Sequence, residues 1–159
     1  MPVYERETRV RAPLDAVWSF HSRITGLEAL TPDWMHLRVE HVVDADGNPD
    51  PDVLEPGTQI RMSIQPLGVG PRQRWVSRIV ERKETPGAAR FVDVMDQGPF
   101  PRWRHAHRFF ADGDETIVND RVEYELPLGP LGRTVAPLAR IGFEPMFRYR
   151  HRRTRDLLE

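Results

Sequence analysis

A chain of 159 residues with a formal net charge of −1 is the size of one domain, residues 1–159, and is long enough to bury a substantial core. A charge balance so near neutrality creates no field that would draw in nucleic acid, and the absence of cysteine removes disulfides, thiolate metal sites and cysteine nucleophiles. The start MPVYERETRVRAP is charged and alternating, the wrong pattern for a signal peptide, and no apolar run approaches the roughly 18 residues of a membrane span. A soluble, cytoplasmic protein with no nucleic-acid partner and no integral membrane segment is expected.

From Val3 to Ala12 the pattern alternates, with Tyr4, Thr8 and Val10 on one side and Glu5, Glu7, Arg9 and Arg11 on the other, as in a strand with one solvated face. Pro13 ends it and suits a first helical position. Leu14, Val17, Trp18 and Phe20 then outline a short amphipathic helix, and a second follows around Arg23 to Leu30, weakened by Gly26. Met35 to Val43 reads as the next strand, with Met35, Leu37, Val39 and Val43 on one face. Asp44 to Gly57 is a surface loop whose acids, Asp44, Asp46, Asp50 and Asp52, lack the terminal Glu and flanking helices of a calcium hand. Thr58 to Pro66 places Ile60, Met62 and Ile64 on one face. On Gln73 to Glu84 the inner face is assigned to Trp75, Ser77 and Ile79, because Arg74, Arg78 and Arg82 are best solvated. Ala89 to Asp96 is a further strand.

The stretch from Gly98 to Pro127, GPFPRWRHAHRFFADGDETIVNDRVEYELP, reads as two strands joined at Asp112-Gly113 by a two-residue turn. That turn would set Ala111 opposite Asp114, Phe109 opposite Thr116, His107 opposite Val118, His105 opposite Asp120 and Trp103 opposite Val122. Trp103, His105, His107 and Phe109 share a face with Val118, Asp120, Val122 and Tyr124. An imidazole beside a carboxylate on an apolar face is either a hydrogen-bonded patch that holds strand register or the polar element of a site. His105 and His107, two apart on a strand, could face one metal, but a third ligand must come from Asp120 or farther.

After Leu126-Pro127 the segment LGPLG reads as a linker, and Arg133 to Glu159 reads as helical, with apolar residues at Val135, Leu138, Ile141, Met146, Tyr149 and Leu157. Pro137 is tolerable in a first turn, whereas Gly142 and Pro145 should kink or break the helix. The basic run from Arg148 to Arg155 is read as a solvated face rather than a phosphate site. The order is one strand, two short helices, six strands and a long helix, an α+β arrangement in which that helix must cover the apolar face of an antiparallel sheet. No repeat, nucleotide loop or composite metal motif interrupts it, so no cofactor and no metal are expected.

Four segments carry a resemblance across the whole chain: R-A-P-L-D-A-V-W-S-F at Arg11 to Phe20, G-P-F-x-x-W-x-H-x-H-x-F at Gly98 to Phe109, D-x-V-x-Y-x-L-P at Asp120 to Pro127, and F-x-Y-R at Phe147 to Arg150. The chain resembles the START/birch-pollen-allergen-like (SRPBCC, polyketide cyclase/dehydrase-like) superfamily. That resemblance implies a helix-grip fold, a curved seven-stranded antiparallel sheet wrapped around a long C-terminal helix, with two short helices after the first strand. It also implies a cavity between sheet and helix for a hydrophobic small-molecule ligand such as a lipid, quinone or polyketide. The residues expected to line it are Trp34, Met62, Ile64, Trp75, Ile79, Phe100, Trp103, His105, His107, Phe109, Val118, Asp120, Val122, Phe143 and Phe147. The alternative is a cyclase/dehydratase-type enzyme, in which His105 is the general base and Asp120 orients its ring.

Overall fold

The computed structural model of the chain describes residues 1–135 and 138–159, so the expectation placed on Pro137 lies outside the described residues. Seven strands, β1 (Val3–Val10), β2 (Arg38–Val43), β3 (Gln59–Ile64), β4 (Gln73–Thr85), β5 (Ala88–Gln97), β6 (Arg102–Asp112) and β7 (Glu115–Glu125), form one antiparallel sheet. Its order is β1-β7-β6-β5-β4-β3-β2. Helices α1 (Leu14–His21) and α2 (Ile24–Ala29) follow β1, while α3 (Gly129–Val135) and α4 (Ala139–Leu158) follow β7.

The β6–β7 hairpin keeps the expected face but not the expected register. Asp112 pairs with Glu115, Phe109 with Val118, His107 with Asp120, His105 with Val122 and Trp103 with Tyr124. The turn residues are Gly113 and Asp114, and only Gly113 takes a positive φ, of 62°. Glycine at the first central position is the requirement of a type II′ turn, whereas Asp112-Gly113 would have needed positive φ at both. Moving the turn by one residue displaces the pairing by two, so every side chain stays on its face.

Elsewhere the period-two reading fails where the backbone leaves the strand conformation. β2 begins at Arg38 rather than Met35, because Asp33–Met35 is a 3₁₀ turn closed by His36 in the left-handed region at φ 51° and ψ 47°. A bulge between Val39 and His41 then turns Val42 inward in place of Val43. On β4 Trp75, Ser77 and Ile79 do face inward, but a bulge between Ile79 and Glu81 reverses the alternation beyond it. Arg82, expected to be solvated, lies over the Trp18 ring at 4.3 Å and donates to Ser22 Oγ at 2.7 Å.

The C-terminal segment differs most from expectation. LGPLG is not a linker, because Gly129–Val135 is helical. Helix α4 runs without a break through Gly142 and Pro145. Proline at 145 removes the N–H that would serve the Ile141 carbonyl, but Ile141 is 72 % exposed and water can satisfy that oxygen. The buried stripe is Phe143, Phe147, His151 and Thr154, whereas Leu138, Ile141 and Leu157 are exposed.

Two apolar clusters build the core on the covered face. One gathers Val10, Val17, Trp18, Phe91, Phe109 and Val118 beneath α1; the other packs Tyr4, Val122 and Tyr124 against Phe143 and Phe147 of α4. Tyr4 meets Phe147 at 5.1 Å between ring centroids. Its hydroxyl donates to Glu144, which also accepts from Arg6 of β1, each at 2.5 Å.

Candidate functional site

Between the sheet and α4 lies a cavity of about 460 Å³. Its walls come from α2, the Asp33–Met35 turn, β3 to β6 and α4, and the exposed Trp34 and Gly142 mark where it meets solvent. Most of the lining is aromatic or aliphatic, which leaves a small polar set consisting chiefly of His21, Ser77, Asp93, His105, His107 and Arg150.

Strand pairing brings most of the polar set together. Asp93 on β5 sits opposite His105, and Asp120 on β7 sits opposite His107, so the two carboxylates flank two imidazoles that stack at 3.6 Å between centroids. His105 Nε2 donates to Asp120 Oδ1 at 2.7 Å, although the two residues are diagonal rather than opposite. His107 Nε2 donates to Asp93 Oδ2 at 2.8 Å, and its Nδ1 lies 3.4 Å from Asp120 Oδ1. From α4, His151 Nε2 donates to Asp120 Oδ2 at 2.6 Å. Asp120 is thus the junction of β6, β7 and α4, with both carboxylate oxygens occupied.

The environment sorts the charges. Burial acts to raise the carboxyl of Asp120, but the imidazoles of His105, His107 and His151 hold it well below the ordinary range. Asp93 is likewise held down against burial, chiefly by His107. Burial, together with the neighbouring His107, pushes His105 down to about 4. For His107 burial works downward too, yet the two carboxylates raise it. The two carboxylates on either side of His107 favour its charged form, while at neutral pH a neutral His105 donates through Nε2 and keeps a lone pair on Nδ1. That lone pair can accept a ligand hydroxyl or a proton, and Asp120 would stabilise the imidazolium so formed.

Asp93, His105 and His107 each offer a ligand atom within 4.8 Å of the others, which makes them the metal candidates. The geometry fits poorly. His107 Nε2 already bonds Asp93, and ring planes only 29° apart cannot aim two lone pairs at one ion without turning a ring.

Of the residues expected at the site, Trp34, Met62, Ile64, Trp75, Ile79, Phe100, Trp103, His105, His107, Phe143 and Phe147 line the cavity. Phe109, Val118, Asp120 and Val122 are buried behind its wall: Phe109 is covered by Trp18 and His21, Val122 by α4. Sequence reading missed Asp93, His151, His21 and Arg150. Asp93 alternates in phase with Phe91 on β5, a signal that could have found it; nothing local marks the other three.

The family model described as a domain of unknown function (DUF8410) matches residues 8–158. The chain belongs to that family. No curated protein matches significantly. Among solved structures, a START superfamily protein from Mycobacterium smegmatis is similar at TM-score 0.62 and 16 % identity, covering 98 % of both chains. Norcoclaurine synthase from Thalictrum flavum is similar at TM-score 0.65 and 18 % identity over 98 % of this chain and 85 % of that one. A protein from Thermus thermophilus is similar at TM-score 0.61 and 20 % identity, over 96 % of this chain and 97 % of its own. This DUF8410 member therefore has the START-like helix-grip fold, as the sequence motifs implied. No helix among the described residues is long and apolar enough to cross a membrane.

His21 supplies a test of how dry the cavity wall is. Its Nδ1 donates to the Val17 carbonyl at 2.8 Å, and burial pushes its pKa down to about 3. The unfolded chain keeps the ordinary value near 6.5, so it takes up a proton at His21 that the folded protein refuses. The stabilisation is complete above pH 6.5 and is lost as the pH falls toward 3, at up to about 1.4 kcal/mol per pH unit. His105 acts in the same direction and His107 in the opposite one. In His21→Phe, urea-derived stability between pH 6.5 and 4 should fall less steeply than in the wild type by about 1 kcal/mol per unit. An unchanged slope would mean that water reaches His21.

Proposed function

We propose that the chain, as a single domain, binds a hydrophobic small molecule in the cavity between sheet and α4. The observation that carries this reading is the 460 Å³ volume with its largely apolar wall and few convergent polar groups, the usual make-up of a small-molecule site. Norcoclaurine synthase, a protein of the same fold, has been crystallised in complex with dopamine and hydroxybenzaldehyde, which supports the use of such a cavity for compact organic ligands. A neutral solvatochromic dye such as Nile red should bind the folded protein one to one. Trp75→Arg or Trp103→Arg should abolish that binding while the circular dichroism stays native. Dye uptake indifferent to both changes would indicate a filled core and overturn the reading.

A second reading, an enzyme of the cyclase/dehydratase type, is favoured by one observation: His105 is neutral, oriented by Asp120 at 2.7 Å and set in the cavity wall. In it His105 removes a proton from an acidic carbon or a hydroxyl, and Asp120 stabilises the resulting imidazolium. Native mass spectrometry of freshly purified protein would identify a retained molecule. Turnover of that molecule by wild type but not by His105→Gln would support the enzyme, whereas its return unchanged would leave binding alone.

A further inference from the structure

The basic run from Arg148 to Arg155 separates in the structure into arginines with different surroundings. Arg148 pairs with Glu144 at 3.3 Å, Arg155 reaches Thr8 Oγ1 at 3.1 Å, and Arg152 lies over the Tyr149 ring. Arg150 has none of these outlets. It follows Phe143 and Phe147 on the inward side of α4 and lines the cavity. Its Nε is buried without a hydrogen-bond partner, and it forms no ion pair among the described residues. Positions three and four residues away, Met146, Phe147, Arg153 and Thr154, hold no acid, so no pair within the helix is available.

Arg150 is half-buried, so water reaches its guanidinium only in part at a largely apolar wall, where a paired anion would be favourable. The buried carboxylates cannot be that partner, because Asp93 is engaged by His107 and Asp120 by His105 and His151. His21 also lines the cavity, but its bond to Val17 uses the Nδ1 hydrogen and leaves Nε2 as an acceptor, which cannot hold an anion. The unmatched group in the cavity is thus a planar, permanently charged donor fork, which is suited to two carboxylate oxygens.

We infer that the ligand is an amphipathic organic acid whose carboxylate is held by Arg150 while its apolar body occupies the aromatic part of the cavity. This rests on the binding reading above and names the ligand class that reading leaves open. The orientation follows from the charges: Asp93 on the sheet side repels an anion, and Arg150 on the helix side attracts it.

The test compares two acids of different shape, cis-parinaric acid and 2-naphthoic acid, each with its methyl ester. Binding is followed at pH 7.5 by ligand fluorescence and by quenching of tryptophan. For at least one body, wild type should bind the acid ten-fold or more tightly than the ester. Arg150→Met should bring the acid to the ester's affinity and leave the ester unchanged, while Arg150→Lys should retain part of the preference. Equal affinity for acid and ester in the wild type would overturn the anchoring role and leave the binding reading standing. A parallel loss of both ligands in Arg150→Met, with native circular dichroism, would assign Arg150 to cavity shape and overturn it too. If Arg150→Met fails to fold, the wild-type ratio and Arg150→Lys still decide. Failure of wild type to bind Nile red or any of the four compounds would overturn the inference and the binding reading together.

Discussion

Asp120→Asn is expected to lower stability by about 3–5 kcal/mol, measured by urea denaturation at pH 7. The carboxylate accepts from His105 on one oxygen and from His151 on the other, and it is 3 % exposed. Asparagine offers one oxygen and turns an amide N–H₂ toward an imidazole N–H that already points inward. One histidine must then lose its acceptor, and His107 loses one of its two negative neighbours. His151→Leu alone should cost less, about 1–3 kcal/mol, because Asp120 keeps its bond to His105 and its charge beside His107. The double variant should lose less than the sum, with a coupling of about 0.5–3 kcal/mol that marks the bond between α4 and the sheet. Strict additivity, or an Asp120→Asn loss below about 1 kcal/mol, would show that water or an alternative tautomer satisfies the cluster. If the doubly substituted protein still binds its ligand normally, the cluster holds register only.

Removing residues from Arg140 onward should leave a chain that is insoluble or molten, without near-ultraviolet circular dichroism and with strong dye binding. The deletion takes away Phe143, Phe147, His151 and Thr154, the buried stripe of α4. It uncovers Tyr4, Val122 and Tyr124, each at most 1 % exposed in the intact protein. Losing one buried phenylalanine costs about 3–5 kcal/mol, and whole domains are stable by only about 5–15 kcal/mol. Two such losses, combined with the loss of His151 from one oxygen of Asp120, exceed what most domains can absorb. Phe147→Ala gives the graded version: a loss of about 3–5 kcal/mol with the cooperative transition retained. A cooperative thermal transition in the truncated protein would contradict the role assigned to α4 as cover for the sheet.

The sequence by itself determined that there are seven strands and, away from the bulges of β2 and β4, which side chains share a face. Alternation has a period of two, and on β6 and β7 it survives even a displaced turn, which is why Trp103, His105 and His107 were placed with Asp120 although the register was not. It also determined that a long C-terminal helix must cover an apolar face, because no other element is large enough. Only the tertiary structure decided which groups meet. Asp93 reaches His107 through the β5–β6 pairing, and His151 reaches Asp120 because α4 crosses β7. Arg150 lies inward while Arg148 lies outward, since on α4 the direction in which a cation points depends on how the helix is rotated against the sheet. Hydropathy reads His151, Thr154 and Arg150 as solvent-facing, and so it counts the exposed Leu138, Ile141 and Leu157 among the helix's apolar positions and omits His151 and Thr154 from the buried stripe. The physical reason is that a polar side chain is stable indoors once it has a partner, and that partner stands on another element, dozens of residues away, where no local pattern can record it.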